Sequence, residues 1–61
     1  LAEDIARALA AAPAARAFFD SVAPFYRKNF LRWIDSARRP QTRQARIAEM
    51  VSLLAAGKKQ R

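Results

Sequence analysis

Apolar residues recur at helical spacing along almost the whole chain, and prolines stand where the pattern changes register. In the first segment Leu1, Ile5, Ala8, Leu9 and Ala12 share one face, with Glu3 and Arg7 at the favourable i, i+4 spacing on another. The acids Glu3 and Asp4 suit the positive end of a helix dipole. Pro13 ends this helix or begins the next, because its fixed φ and missing N–H are tolerated in a first turn and not inside a helix. The second segment, Pro13 to Ser21, offers Ala17, Phe18 and Phe19 as core candidates, with Val22 just beyond, and Arg16 pairs with Asp20 across one turn.

The third segment is predicted over Pro24 to Ala37, with an apolar stripe of Tyr26, Phe30, Trp33, Ile34 and Ala37. Arg27, Lys28, Arg32 and Asp35 lie away from that stripe, and Phe25 and Leu31 lie off its centre. The fourth begins near Pro40 and runs to Ala55 or Ala56, where Gly57 is a suitable C-terminal cap. It buries Ile47, Met50, Val51 and Leu54 and leaves Arg43, Arg46 and Glu49 outward or flanking. No stretch alternates as a strand does. The pattern predicts an all-α fold, a small bundle of about four helices joined by proline-containing turns. Its expected anchors are Phe18, Phe30, Trp33, Ile34, Ile47, Val51 and Leu54.

Length and charge narrow the function classes more than the fold. A chain of 61 residues makes one domain, residues 1–61, and buries only about 60% of its unfolded surface. It has no cysteine, so neither disulfides nor thiolate metal sites staple it. Opening at Leu1 and entering a helix at once, it reads as a fragment of a longer chain. Twelve Lys and Arg against five Asp and Glu leave a net charge of +7, which bears on partners rather than fold. No apolar run approaches the ~20 residues of a membrane span, and Glu3, Asp4, Arg7 and Arg16 interrupt the Ala-rich start unlike a signal peptide. A cytoplasmic location is expected.

The inventory for catalysis is thin. Histidine and cysteine are absent, and five carboxylates are scattered over separate helices, so neither an enzyme nor a metal or cofactor site is expected. Asp35 is expected to pair with Arg39 at i, i+4. Trp33 has two readings: a platform for a base or ligand, and the anchor of a small core, which its spacing from Phe30, Ile34 and Ala37 favours. Arg38 and Arg39 close the third helix, where cations meet unpaired carbonyls. For Arg43 and Arg46, three apart on the fourth, bonding to the inter-helix turn or Asp35 competes with a binding face for phosphate or carboxylate, and Thr42 caps the helix or joins that face. Docking the fourth helix in a DNA groove is disfavoured, since the turn lacks glycine and the helix offers no Asn beside Gln44 and its arginines for reading base edges.

Trp33-Ile34-Asp35-Ser36-Ala37-Arg38, then Thr42-Arg43 and Arg46-Ile47, resemble the W-I-x-x-A-K … T-R-x-x-R-I signature of the YdeI/OmpD-associated family, also called OmdA or bacteriocin-protection proteins. Upstream, Ala8-Leu9, Pro13, Ala17, Phe18-Phe19 and Pro24-Phe25-Tyr26-Arg27-Lys28 extend the resemblance over nearly the whole chain. Arg38 replaces the family's usual lysine, and Ala23 stands where a serine often precedes the proline. The resemblance implies a helical accessory module, usually the C-terminal part of a larger protein, associated with bacteriocin tolerance or envelope stress. The expected mode of action is docking through a basic face of Arg38, Arg39, Thr42, Arg43 and Arg46 onto an acidic protein surface, such as a fused N-terminal domain. Nonspecific nucleic-acid binding through the same face is the alternative.

Overall fold

A computed structural model describes residues 1–61. It contains four helices and no strand: α1 (Glu3–Ala10), α2 (Pro13–Ser21), α3 (Pro24–Asp35) and α4 (Pro40–Ala55). Proline opens three of the four, and the preceding residues Ala12, Ala23 and Arg39 cap nothing with their side chains. Proline does this because its ring presets the helical φ and its lacking N–H removes one unpaired donor. At the far end of α4, Gly57 takes φ +76°, and the N–H groups of Gly57 and Lys58 donate to the carbonyls of Leu54 at 3.0 Å and Leu53 at 2.9 Å. This is a left-handed cap at the residue best able to adopt it.

Two boundaries differ from the periodic pattern. The first helix starts at Glu3, which leaves Leu1 60% exposed. The third stops at Asp35 instead of Ala37, because the chain tightens there: Ala37 N–H donates to Ile34 O at 3.1 Å, and Ser36 Oγ donates to Trp33 O at 2.8 Å. Arg39, before Pro40, is extended at φ −108° and ψ 143°, as the steric demand of a following proline requires.

Each helix buries residues one turn apart: Ile5 and Leu9 in α1, Ala15 and Phe19 in α2, Phe30 and Ile34 in α3, and Ile47, Met50 and Leu54 in α4. With Val22 beside them they form the core, and α4 runs along all three other helices. The buried stripe is narrower than the apolar pattern. Phe30, Ile34, Ile47 and Leu54 lie inside, whereas the expected anchors Phe18, Trp33 and Val51 are only partly buried on its flanks. Each flanking residue is next to a buried one in sequence, about 100° around the helix from it. Ala17 is exposed because two positions of rotation carry it to the side opposite Ala15 and Phe19. Leu31 packs against the core, while Phe25 remains 65% exposed. No helix is long and apolar enough to cross a membrane.

Candidate basic docking surface

The central arginines divide into two kinds. Arg43 projects from the first turns of α4 between the start of α1 and the end of α3, and all three of its guanidinium nitrogens are bonded. Its Nε and Nη2 meet the two carboxylate oxygens of Asp4 at 2.7 and 3.0 Å, and its Nη1 meets Asp35 Oδ1 at 2.8 Å. The forked geometry on Asp4 is one that a lysine cannot reproduce. Donation from Arg43 holds the Asp4 carboxyl below its ordinary pKa, against the opposing pull of desolvation, and the Asp4 and Asp35 carboxylates in turn raise the pKa of the guanidinium. Asp35 therefore pairs with Arg43 across the inter-helix turn and not with Arg39 along its own helix. The pairing follows from helix length: α3 ends at Asp35, so Arg39 no longer lies one helical turn above it.

Arg46 secures the same corner. Its Nη1 donates to Trp33 O at 2.7 Å and to Ser36 Oγ at 2.9 Å, while its guanidinium carbon lies 5.4 Å from the Trp33 ring centre. The Trp33 carbonyl near the end of α3 is thus bonded from α4, and not by Arg38 or Arg39, which are exposed and make no side-chain hydrogen bond or ion pair. Thr42 is half-buried and does not cap α4. Arg27 fastens the preceding corner by donating to the Val22 carbonyl. The five predicted face residues are neighbours in sequence, but only Arg38 and Arg39 present free guanidinium groups.

Charge is segregated along the chain. Residues 1–26 hold two basic and three acidic side chains, and residues 27–61 hold ten basic and two acidic ones. Ion pairs occupy four carboxylates: Glu3 with Arg7, Asp20 with Arg16, and Asp4 and Asp35 with Arg43. Only Glu49 is left, against nine cations without an ion pair, every one from Arg27 onward. Arg27 and Arg46 keep their charge but are tied to carbonyls, so the cations free of hydrogen bonds and ion pairs are Lys28, Arg32, Arg38, Arg39 and the closing Lys58, Lys59 and Arg61. Asp4 escapes sequence reasoning as a site residue because its partner lies 39 positions away and nothing local marks it. No cluster of three or more His, Cys, Asp or Glu side chains forms anywhere.

A concave feature lies between α3 and the closing residues, a groove of about 710 Å3 with Tyr26, Asn29, Arg32, Trp33, Lys59 and Arg61 among its walls. Basic and aromatic residues interleave from Phe25 to Trp33, and that was its only sequence signal.

No curated protein and no solved structure matches the chain. Residues 1–57 match the family described as Bacteriocin-protection, YdeI or OmpD-Associated, a span that includes all four helices and both corner arginines. In that light the T-R-x-x-R-I part of the signature has an architectural reading: Arg43 ties α4 to α1 and α3, Arg46 caps α3, and Ile47 enters the core. The chain belongs to the OmdA family of bacteriocin-protection, YdeI or OmpD-associated proteins.

Proposed function

We propose that this domain is a non-catalytic interaction module of a YdeI/OmpD-associated protein, acting in the cytoplasm and serving bacteriocin tolerance or envelope stress by docking onto an acidic protein surface, such as a domain fused in the same chain. The charge segregation carries this reading. With four of five carboxylates committed to internal pairs, the unpaired cations lie along α3, the α3–α4 turn and the chain end, and an acidic surface is their complement. Arg38 and Arg39, exposed on the turn, are its centre, and Arg43 and Arg46 support them by fixing that turn from beneath. Because Arg43 is flanked by two carboxylates, it adds no net positive charge to the face.

Polyglutamate serves as the probe for an acidic surface. Reversing Arg38 and Arg39 to glutamate is expected to weaken its association on the order of tenfold, by removing exposed pairs and adding repulsion. The stability obtained from the thermal melt followed by circular dichroism should change by no more than about 0.5 kcal/mol, as for surface positions. Unchanged polyglutamate affinity in the doubly reversed protein would refute the docking face.

A further inference from the structure

The groove between α3 and the closing residues combines two features that the docking face lacks. Tyr26, Asn29 and Trp33 follow one another at i, i+3 and i+7 along α3, and residues 59–61 lie across them. Lys59 Nζ stands 4.7 Å from the centre of the Tyr26 ring, and the Arg61 guanidinium stands 4.3 Å from that of Trp33. Arg32 joins them, and no Asp or Glu side chain lines the groove. Beyond it Phe25, 65% exposed, meets the Tyr26 ring edge to face at 5.3 Å and lengthens the aromatic row. The final backbone hydrogen bond of the chain is the one from Lys58 to Leu53, so Lys59 and Arg61 are held over the rings by cation–π attraction alone.

We infer that this groove binds single-stranded nucleic acid, with bases stacking on Tyr26 and Trp33 and phosphates meeting Arg32, Lys59 and Arg61. The rings are seven residues apart, about 10 Å along the helix, which is about three steps of a stacked strand. A base arriving on either ring displaces a cation that no backbone bond restrains, and the freed cation swings onto the adjoining phosphate. The exchange relieves the repulsion among three like charges that share a groove without an acidic side chain. An acidic peptide satisfies the cations but leaves the rings unused, and a duplex hides its base faces. Aromatic platforms in a positive groove are the arrangement by which single strands are held without regard to sequence. This site is separate from the Arg38 and Arg39 face, and it stands or falls without it.

Trp33 is the only tryptophan, so its fluorescence reports stacking directly. Titrating the protein with a single-stranded oligothymidylate at low salt should quench that fluorescence to saturation, with the logarithm of affinity falling against that of salt at a slope of about −2 for three phosphate contacts. Polyglutamate and a duplex of equal length should quench the fluorescence far less than the oligothymidylate does. Lys59→Ala with Arg61→Ala touches no part of the core and should lower affinity roughly tenfold and reduce the slope to about −0.7, with an unaltered melt. Tyr26→Leu keeps apolar bulk without the ring and should weaken binding about fivefold or more. The inference is overturned by an oligothymidylate that does not quench, by polyglutamate that quenches equally, or by a tail variant that binds as the parent does. Reversal of Arg38 and Arg39 should weaken polyglutamate association about tenfold while quenching by the oligothymidylate persists, which separates this site from the docking face.

Discussion

Arg43 is the residue on which the most structure converges. It bonds one carboxylate at the start of α1 and another at the end of α3, so three helices meet on one guanidinium. The pH consequence follows from the direction of the Asp4 shift. A carboxyl whose folded pKa lies below its unfolded value stabilises the fold above the unfolded pKa, and that stabilisation disappears as pH falls through the folded pKa. The melting temperature should therefore decline on acidification below about pH 4, the ordinary aspartate range. In Arg43→Gln the Asp4 titration, followed by NMR, should move up to that ordinary range, and the acid-dependent decline should become shallower. A midpoint for Asp4 that ignores the loss of Arg43 would contradict the pairing. The sequence offered Asp35 as a partner for Arg43 and gave no sign of Asp4, since only the folded chain brings Asp4 to it.

At the level of the helices, the noteworthy economy is in how they begin. No N-cap residue makes a side-chain bond; in α1 the Ile5 N–H donates to the Asp4 carboxylate at 2.8 Å, and the other three helices rely on proline in the first turn. Ala23 precedes Pro24 in an extended conformation, φ −61° and ψ 149°, which is the backbone an N-cap residue adopts. Ala23→Ser should then place a hydroxyl within reach of the Phe25 N–H, which has no backbone partner, and stabilise the domain by about 1 kcal/mol, read as a higher melting temperature. No change in the melt would mean that the new hydroxyl makes no bond at this terminus. Helix ends show how far periodicity reaches: the Pro13, Pro24 and Pro40 starts and the Gly57 stop are legible because these residues restrict the backbone themselves. The early end of α3 is not legible in that way, because it depends on Ser36 folding back to Trp33 O and on Arg46 arriving from α4.

Across the whole molecule, a core of ten buried residues with no buried polar or charged side chain must hold 61 residues together. Domains of this size seldom have more than about 3–5 kcal/mol of stability from such a core. Leu54, 1% exposed, lies where α4 meets the other helices, and Leu54→Ala should cost about 2–5 kcal/mol and leave the chain largely unfolded. Trp33→Ala should cost less than about 3 kcal/mol, below the usual range for a fully buried tryptophan, because this ring lies on the core's flank. Comparing the two by chemical denaturation tests the placement: a tryptophan truncation as damaging as the leucine one would put Trp33 inside. The same flank position leaves Trp33 available to the groove, whereas a central anchor would have no exposed face.

Periodicity, proline and glycine by themselves determined the helical class, the order of the four segments and most of their ends, because each of these signals acts through local backbone preference. They also placed Phe30, Ile34, Ile47 and Leu54 within the core, since residues one turn apart share a helix face wherever the helix packs. Tertiary structure alone decided which flank of each stripe stays open, turning Phe18, Trp33 and Val51 aside and drawing in Ala15. It also decided which cations are free. Arg43 and Arg46 look like Arg38 and Arg39 in the sequence, and only the positions of Asp4, Asp35 and the Trp33 carbonyl commit the first two to the fold and leave the other two to solvent. A charge is neutralised by what stands next to it in space, and that neighbour is fixed by the packing of helices far apart in the chain.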